Sequence, residues 1–212
     1  MEKIILLGGG GHCKSIIDTI QTSKLYEIIG IIDLQQNIGQ YINGIEVLDC
    51  DENLMKYKKS GVENAFISIG SIGNVSVRRK LYDLAKKTGF NIPKIVDKSA
   101  IVAKDTKILE GTFVGKGAII NTKSIIGSNC IINSGSIVEH DCSIGDFVHI
   151  ASGATLCGGV QVGKNTHIGA NSTVIQYKTI GENVIIGAGS VVTKDIRSDV
   201  KAYGNPCKEV SN

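Results

Sequence analysis

The stretch from residue 138 to residue 168 reads VEHDCSIGDFVHIASGATLCGGVQVGKNTHI, and an aliphatic residue stands at every sixth position within it. The same interval extends in both directions without a single insertion. It fits neither an α-helix, with a period of about 3.6 residues, nor a simple strand, with a period of about 2. The seventeen positions in this register are Val96, Val102, Ile108, Val114, Ile120, Ile126, Ile132, Val138, Ile144, Ile150, Leu156, Val162, Ile168, Val174, Ile180, Ile186 and Val192.

A chain that turns a corner every six residues, with one inward aliphatic side chain per corner, accounts for this period. Three corners close a triangular coil, and stacked coils form three parallel sheets with a rise of about 4.8 Å per coil. Aromatic rings would not fit so narrow a core, and only 5% of the residues are aromatic. The pattern predicts a left-handed parallel β-helix of hexapeptide repeats, an exception to the right-handed crossover rule.

Residues 1–92 show a different pattern, in which short apolar runs alternate with amphipathic stretches. The runs at 3–7, 28–33 and 63–69 predict strands. Strands that alternate with helices predict an α/β domain with a small Rossmann-like parallel sheet. We therefore expect this domain over residues 1–92 and an all-β domain with a C-terminal tail over residues 93–212. The predicted helices are His12–Thr22, Asp51–Lys59 and Asn74–Lys87.

The composition excludes several classes of protein. Hydrophobic residues make up 42% of the chain and the 26 glycines follow no three-residue period, which excludes a disordered chain and collagen. The net charge is +3, and we expect basic runs such as 78–80 on solvated helix faces and not on a nucleic-acid surface. No run approaches the ~18 apolar residues of a membrane span. We expect a cytoplasmic protein, without membrane insertion, whose six cysteines are free thiols.

A glycine-rich turn, LGGGGH at residues 7–12, joins the first predicted strand to the first helix. Backbone N–H groups of such a turn can approach a phosphate at the positive end of the helix. Asp33 closes the next strand, where an acidic side chain commonly meets ribose hydroxyls. Cys13 takes the third glycine position of the dinucleotide motif, which argues against NAD and leaves a nucleotide-linked substrate open. A tight turn without a ligand is the alternative.

The segment Glu139-His140-Asp141-Cys142 combines an imidazole with carboxylates inside the repeat region. A neutral imidazole can accept a proton at cytoplasmic pH, and a neighbouring carboxylate can fix its tautomer. Adjacent side chains meet at a bend, so Asp141 is the candidate partner and Glu139 a weaker one. A surface histidine in a polar turn is an equal alternative. A nucleophilic Cys142 is disfavoured, because small cysteines pack well in tight corners.

Histidines could also indicate a metal, since His149 and His167 are eighteen residues apart and therefore neighbours on successive coils. The γ-type carbonic anhydrases bind zinc on a coil of this type with three histidines, two of which are five residues apart. That close pair is absent from this sequence. We therefore expect no metal.

With these motifs, the chain resembles the bacterial hexapeptide-repeat sugar acyltransferases. This family contains the sialic acid O-acetyltransferases and the UDP-4-amino-sugar N-acetyltransferases of bacillosamine biosynthesis. The resemblance implies an acetyl-CoA-dependent sugar acetyltransferase of bacterial surface-glycan biosynthesis, a homotrimer with active sites between neighbouring coils. The matching motifs are Gly8–His12 with Lys14-Ser15, Ile31-Ile32-Asp33, Ser68-Ile69-Gly70, the hexapeptide repeats, Glu139-His140-Asp141-Cys142, and Gly204-Asn205-Pro206-Cys207-Lys208.

The resemblance also implies roles for individual residues. His140 would be the general base that deprotonates the acceptor, Asp141 would raise its basicity, and His149 would lie near the acetyl thioester. Asp141 stands where some members have Glu, and Cys207 where Ala is usual. The residues implied to line the pantetheine groove are Gly158, Ala170 and Ala188. Those implied to form the nucleotide-sugar pocket are Gly10, Gly11, His12, Asp33 and Gly70.

We expect direct acetyl transfer to the 4-amino group of a nucleotide-linked amino-dideoxy sugar. O-acetylation of sialic acid, or of its CMP form, fits the same motifs. A non-catalytic module that binds a nucleotide sugar is the alternative from a different class. The motifs do not distinguish among UDP, dTDP, GDP and CMP.

Overall fold

A computed structural model describes residues 1–210 of the chain. The chain forms two compact units. The first comprises Met1–Gly70 and Ser76–Lys98, and the second comprises Ser71–Val75 and the chain from Ser99 onward. Within the described residues, no helix is both long and apolar enough to cross a membrane.

The first unit is built on a five-stranded sheet in the order β3-β4-β2-β1-β5. Strands β4, β2, β1 and β5 run parallel, and β3 is antiparallel to β4, so the predicted α/β fold with a parallel sheet is confirmed. The elements of this unit are β1 (Glu2–Leu7), α1 (Gly11–Ser23), β2 (Tyr26–Ile32), β3 (Tyr41–Ile42), β4 (Ile45–Asp49), α2 (Leu54–Lys59), β5 (Asn64–Ile67), α3 (Ser76–Thr88) and β6 (Ile95–Val96).

The structure departs from the sequence predictions at the second predicted helix and at a hairpin, and it agrees with them at the end of α3. The predicted helix 51–59 begins as a 3-10 turn, Asp51–Asn53, before α2. The β3–β4 hairpin was not predicted, although Asn43-Gly44, with φ of 45° and 78°, is a typical two-residue hairpin turn. Helix α3 ends where Gly89 takes a φ of 88°, as the sequence predicts.

The second unit is a solenoid of two-residue strands, and each strand ends on one of the predicted aliphatic residues. These strands are β7 (Ile101–Val102), β8 (Lys107–Ile108), β9 (Phe113–Val114), β10 (Ile119–Ile120), β11 (Ile125–Ile126), β12 (Ile131–Ile132), β13 (Ile137–Val138), β14 (Ser143–Ile144), β15 (His149–Ile150), β16 (Thr155–Leu156), β17 (Gln161–Val162), β18 (His167–Ile168), β19 (Thr173–Val174), β20 (Thr179–Ile180), β21 (Ile185–Ile186) and β22 (Val191–Val192).

Every third strand belongs to the same sheet, so one coil takes eighteen residues. The first sheet contains β7, β10, β13, β16, β19 and β22, and the second contains β8, β11, β14, β17 and β20. The third contains β9, β12, β15, β18 and β21, followed by β23 (Lys201–Tyr203) and β24 (Lys208–Val210) from the tail. The predicted left-handed parallel β-helix is confirmed, and the tail covers one edge of the third sheet.

The aliphatic ladder fills the solenoid. Its fourteen members from Val114 to Val192 are at most 3% exposed, whereas the three before them are partly exposed. Seven members are followed by glycine, and a Cβ on any of these glycines would lie within about 3.0 Å of the next coil or of the tail. Glycine is therefore required there by close packing between coils. These residues are Gly115, Gly127, Gly145, Gly163, Gly169, Gly181 and Gly187.

The corners have their own six-residue register. From residue 111 to residue 189, every sixth residue has a left-handed backbone with φ between 53° and 70°. Glycine and asparagine, which adopt this conformation most readily, hold ten of these fourteen positions. The other four are Lys123, Asp141, Phe147 and Tyr177. We call the bend from the first to the second sheet the first corner, the next bend the second corner, and the bend from the third to the first sheet the third corner.

Candidate active site

His140 and Asp141 form a hydrogen-bonded pair at the first corner. Asp141 holds the left-handed position with a φ of 60°, which brings two adjacent side chains together as a straight strand would not. His140 Nδ1 lies 2.8 Å from Asp141 Oδ2. With Nδ1–H donating to the carboxylate, Nε2 keeps a lone pair that can accept a proton. Both side chains are about half exposed, so the pair is open to a substrate.

Glu139 does not compete for this imidazole. Its Oε2 accepts a hydrogen bond of 2.9 Å from Asn121 Nδ2 on the preceding coil. Of the two carboxylates considered from the sequence, the structure therefore pairs His140 with Asp141.

Gly158 lies directly against the His140 ring on the following coil. A Cβ built on Gly158 would be 2.5 Å from Cε1 and 2.6 Å from Nε2 of His140, closer than real Cβ contacts. The backbone of Gly158 is not in the left-handed region. Glycine is thus required here by the imidazole and not by the turn.

Cys142 has a structural role at the same corner. Its side chain is 1% exposed, and the thiol donates a hydrogen bond of 3.3 Å to the carbonyl oxygen of Cys157. Burial raises the pKa of the Cys142 thiol to about 11. A thiolate at neutral pH is therefore strongly disfavoured, and the geometry favours the packing role expected from the sequence.

His149 and His167 are paired on β15 and β18, on the outer face of the third sheet. Their ring centroids are 4.8 Å apart and the rings meet edge to face. His149 Nδ1 lies 2.7 Å from the carbonyl oxygen of Ser71, so Nδ1 carries the proton, and Nε2 lies 3.3 Å from Asn133 Nδ2. Burial lowers the pKa of His167. Within residues 1–210, no group of three or more His, Cys, Asp or Glu side chains is placed to hold a metal ion.

The solenoid separates these histidines. The first corner lies opposite the third sheet, so the width of the coil, on the order of 10 Å, stands between His140 and His149. Ala170 and Ala188 stack one coil apart at the third corner, because they are eighteen residues apart. One copy of the chain thus gathers His140, Asp141 and Gly158 in one place and His149, Ala170 and Ala188 elsewhere.

In the first unit, the predicted pocket residues lie where β1, β2 and β5 end. These strands are parallel, so their carboxyl ends meet at one edge of the sheet. Gly70 follows β5, and a Cβ on it would lie 3.7 Å from the Cβ of His12. Gly10 and Gly11 face open space, and no side chain caps the start of α1 there. The helix start thus keeps its positive end accessible.

Asp33 connects the glycine turn to the loop after β2. Its Oδ2 accepts hydrogen bonds from the Gly9 N–H at 3.0 Å and from Asn37 Nδ2 at 3.2 Å, and its Oδ1 accepts one from the Leu34 N–H at 2.8 Å. Asp33 also lines a cavity of about 570 Å³, which sequence reasoning missed. The other lining residues are Leu34, Gln35, Gln36, Cys50, Asp51, Glu52, Asn53 and Lys80.

Arg78 corrects one interpretation of the basic runs. Its side chain is only 2% exposed and donates hydrogen bonds to the carbonyl oxygens of Ile67 and Ile69. It therefore does not belong to a solvated helix face, as expected for residues 78–80, but supports the segment that leads to Gly70. A basic run in the sequence carries no sign that one member turns inward.

Comparisons with known proteins agree with this architecture. The PglD N-terminal domain family matches residues 3–85, and the bacterial transferase hexapeptide family (six repeats) matches residues 141–176. No curated protein sequence matches the chain.

Several solved structures resemble the whole chain, and three of them illustrate the range of similarity. PerB from Caulobacter crescentus, solved with CoA and GDP-perosamine, is 33% identical, and the match covers 100% of this chain and 98% of that chain with a TM-score of 0.93. The acetyltransferase domain of PglB from Neisseria gonorrhoeae FA1090, solved with acetyl coenzyme A, is 28% identical, with 99% of each chain covered and a TM-score of 0.90. WeeI from Acinetobacter baumannii AYE, 24% identical with 99% of this chain and 100% of that chain covered, shares the fold at a TM-score of 0.81.

Both units of the chain are thus accounted for by one known architecture, a PglD-type domain followed by hexapeptide repeats. The identity to PerB extends over nearly the full length of both chains. This protein belongs to the hexapeptide-repeat sugar acyltransferase family.

Proposed function

We propose that this protein transfers the acetyl group of acetyl-CoA to the 4-amino group of a nucleotide-linked amino-dideoxy sugar. The His140–Asp141 pair carries the proposal, because an oriented, accessible imidazole is what removal of a proton from an amine requires. Similarity to PerB, solved with CoA and GDP-perosamine, and to the PglB domain, solved with acetyl coenzyme A, supports both substrates.

In this mechanism, Nε2 of His140 accepts a proton from the acceptor amine as its nitrogen bonds to the acyl carbon. The carboxylate of Asp141 stabilises the imidazolium that forms. His140 then returns the proton to the sulfur as the carbon–sulfur bond breaks, so the products are the amide and free CoA. Holding both reactants beside His140 contributes a large part of the rate enhancement.

The small residues Gly158, Ala170 and Ala188 suit the narrow pantetheine arm of acetyl-CoA, since none of them projects a long side chain. They lie at two different corners of one solenoid, and His149 lies on the third sheet. A single copy therefore does not surround a substrate with all of them. We propose a homotrimer in which the first corner of one copy faces the third sheet and third corner of the next.

The nucleotide would bind the first unit through two kinds of contact. The open backbone at Gly10 and Gly11, at the positive end of α1, suits a diphosphate. The cavity beside Asp33 is lined by three carboxylates and one lysine, so negative charge predominates and its acceptors suit ribose hydroxyls and the N–H groups of a base better than a phosphate. We also assign His12 and Gly70 to the nucleotide-sugar site at this edge of the sheet.

A thiol-release assay with acetyl-CoA tests the function across UDP-, dTDP- and GDP-linked 4-amino sugars, sialic acid and CMP-sialic acid. We expect turnover with at least one nucleotide-linked amino sugar and its loss in His140→Asn, a variant of similar size that cannot act as a base. If only sialic acid or CMP-sialic acid is turned over, the protein is an O-acetyltransferase and the proposed N-acetylation is wrong. Full activity of His140→Asn would refute the mechanism. The molecular mass of the wild-type protein in solution tests the proposed trimer.

A further inference from the structure

Tyr177 has an unusual backbone for its side chain. It holds a left-handed corner position with a φ of 57°, which is strained for a bulky residue. Its side chain is nevertheless 72% exposed, so core packing does not account for the strain. Strain of this kind persists where the surrounding structure enforces it and is concentrated at functional sites.

Three other residues that are neither glycine nor asparagine hold left-handed corner positions, and each has an evident reason for its position. Phe147 is only 4% exposed, so it contributes to packing. Asp141 binds His140, and the cation of Lys123 lies near the carboxylate of Asp105. Tyr177 lacks a comparable contact, apart from the glycine beneath its ring.

The glycine beneath the Tyr177 ring is the direct neighbour of the glycine that His140 covers. A Cβ on Gly159 would lie 2.5 Å from Cδ1 and 2.8 Å from Cε1 of Tyr177. The preceding residue, Gly158, is covered by His140 in the same way. The two rings therefore approach one pair of adjacent glycines from the coils on either side. Since adjacent Cα atoms are about 3.8 Å apart, the rings border a short gap whose floor is the glycine pair.

The glycine pair at the floor of this gap provides few free hydrogen-bonding groups for a ligand rich in hydroxyls. The Gly159 N–H donates to the His140 carbonyl, and the Gly158 carbonyl accepts from the Tyr177 N–H, so these backbone groups are already used. What remains is methylene carbon next to an aromatic face. Sugar hydroxyls would lose hydrogen bonds to water there, whereas a methylene chain would not.

We propose that Tyr177 binds the cysteamine–pantetheine end of the acyl-CoA and holds the thioester beside His140. The proposal rests on the acetyltransferase function proposed above. It makes Tyr177 a binding residue for the acyl donor and not for the acceptor sugar.

Steady-state kinetics of Tyr177→Asn and Tyr177→Phe test the assignment. Asparagine adopts the left-handed conformation readily, so the substitution relieves strain while it removes the ring. We expect the KM for acetyl-CoA to rise about tenfold in Tyr177→Asn, with the KM for the nucleotide sugar unchanged, and Tyr177→Phe to resemble the wild type. The matched control is Lys123→Asn, at the same corner with a φ of 59°, which should change neither KM.

If the Tyr177 ring served acceptor binding, folding or assembly instead, the variants would give different results. A rise in the KM for the nucleotide sugar in Tyr177→Asn, or no change in either KM, would overturn the proposal. So would a melting temperature several degrees lower than that of the wild type, or loss of the native oligomer. We expect both the oligomer and the melting temperature to be kept.

A binding measurement needs no acceptor and so separates this proposal from the proposed function. The chain contains no tryptophan, so Tyr177→Trp introduces a single indole as a reporter. Titration with CoA should shift the emission of this variant but not that of Tyr41→Trp, whose site is on the surface of the first unit. An unchanged emission at saturating CoA overturns the proposal, even if every acceptor is inactive.

Discussion

Substitution of Gly158 by alanine should slow the enzyme about a hundredfold while leaving it folded. The added Cβ would lie 2.5 to 2.6 Å from the near edge of the His140 ring, whereas ordinary contacts begin near 3.4 Å. The ring must therefore move by about 1 Å, and a displacement of that size can reduce the rate by about 10²-fold. The hydrogen bond of 2.8 Å between His140 and Asp141 would be lost or distorted in the process.

The expected rate loss corresponds to about 2.7 kcal/mol in the activation barrier. Stability should change by less than about 1 kcal/mol, because the imidazole is half exposed and can move into solvent. The thiol-release assay gives kcat, and thermal unfolding gives stability. Adding Gly158→Ala to His140→Ala should cause little further loss, since both act through the same ring.

Gly117→Ala is the control for the effect of alanine in the solenoid. Gly117 has open space around its Cβ position but a φ of 64°, so alanine should cost about 1 kcal/mol of stability and leave kcat unchanged. A wild-type kcat in Gly158→Ala would contradict the prediction, because it would show that the position of the His140 ring does not limit the reaction.

Three further predictions concern other parts of the chain. At pH 8, the Cys142 thiol should react with iodoacetamide about a hundredfold more slowly than a thiol of ordinary pKa, because its pKa is raised from 9.0 to about 11, and Cys142→Ala should keep its kcat. Asp33→Ala removes the acceptor of the Gly9 and Leu34 N–H groups, and the KM for the nucleotide sugar should rise about tenfold while that for acetyl-CoA is unchanged. Arg78→Met leaves two backbone carbonyls without their donor, which should lower the free energy of unfolding by about 3 kcal/mol in urea denaturation.

Each of these predictions has an opposite result that would contradict it. Rapid alkylation of Cys142 in the native protein would mean that the first corner opens easily. An Asp33→Ala variant with an unchanged KM would place the nucleotide elsewhere. A fully stable Arg78→Met variant would mean that solvent replaces the lost hydrogen bonds.

The solenoid is predictable from the sequence because its core consists of one residue type at one fixed interval. The contact between His140 and Asp141 is predictable in part, since adjacent side chains meet only at a bend. The left-handed register of the corners is harder to see, because Lys123, Phe147 and Tyr177 are not residue types that indicate it. The interval alone would have identified those positions.

Other features depend on contacts that no local pattern encodes. Burial of Arg78 depends on where α3 packs, and the hydrogen bond from His149 to the Ser71 carbonyl joins positions 78 residues apart. The hairpin at Asn43-Gly44 is different, since its turn residues were visible in the sequence and were missed. The cavity beside Asp33 is lined by residues 33–36, residues 50–53 and Lys80, which are separated along the chain.

The uninterrupted interval of six residues restricts which changes in chain length the solenoid can accept. Because the interval of six is kept from one end to the other, a single inserted or deleted residue on a strand would shift every later aliphatic side chain off the core. An insertion of eighteen residues would instead add one whole coil and keep every later aliphatic side chain in the core. Insertions are therefore tolerated as complete coils, or as loops that leave the solenoid at a corner and return to the same corner. It also follows that the distance along the solenoid axis between two residues at the same kind of corner changes in steps of about 4.8 Å.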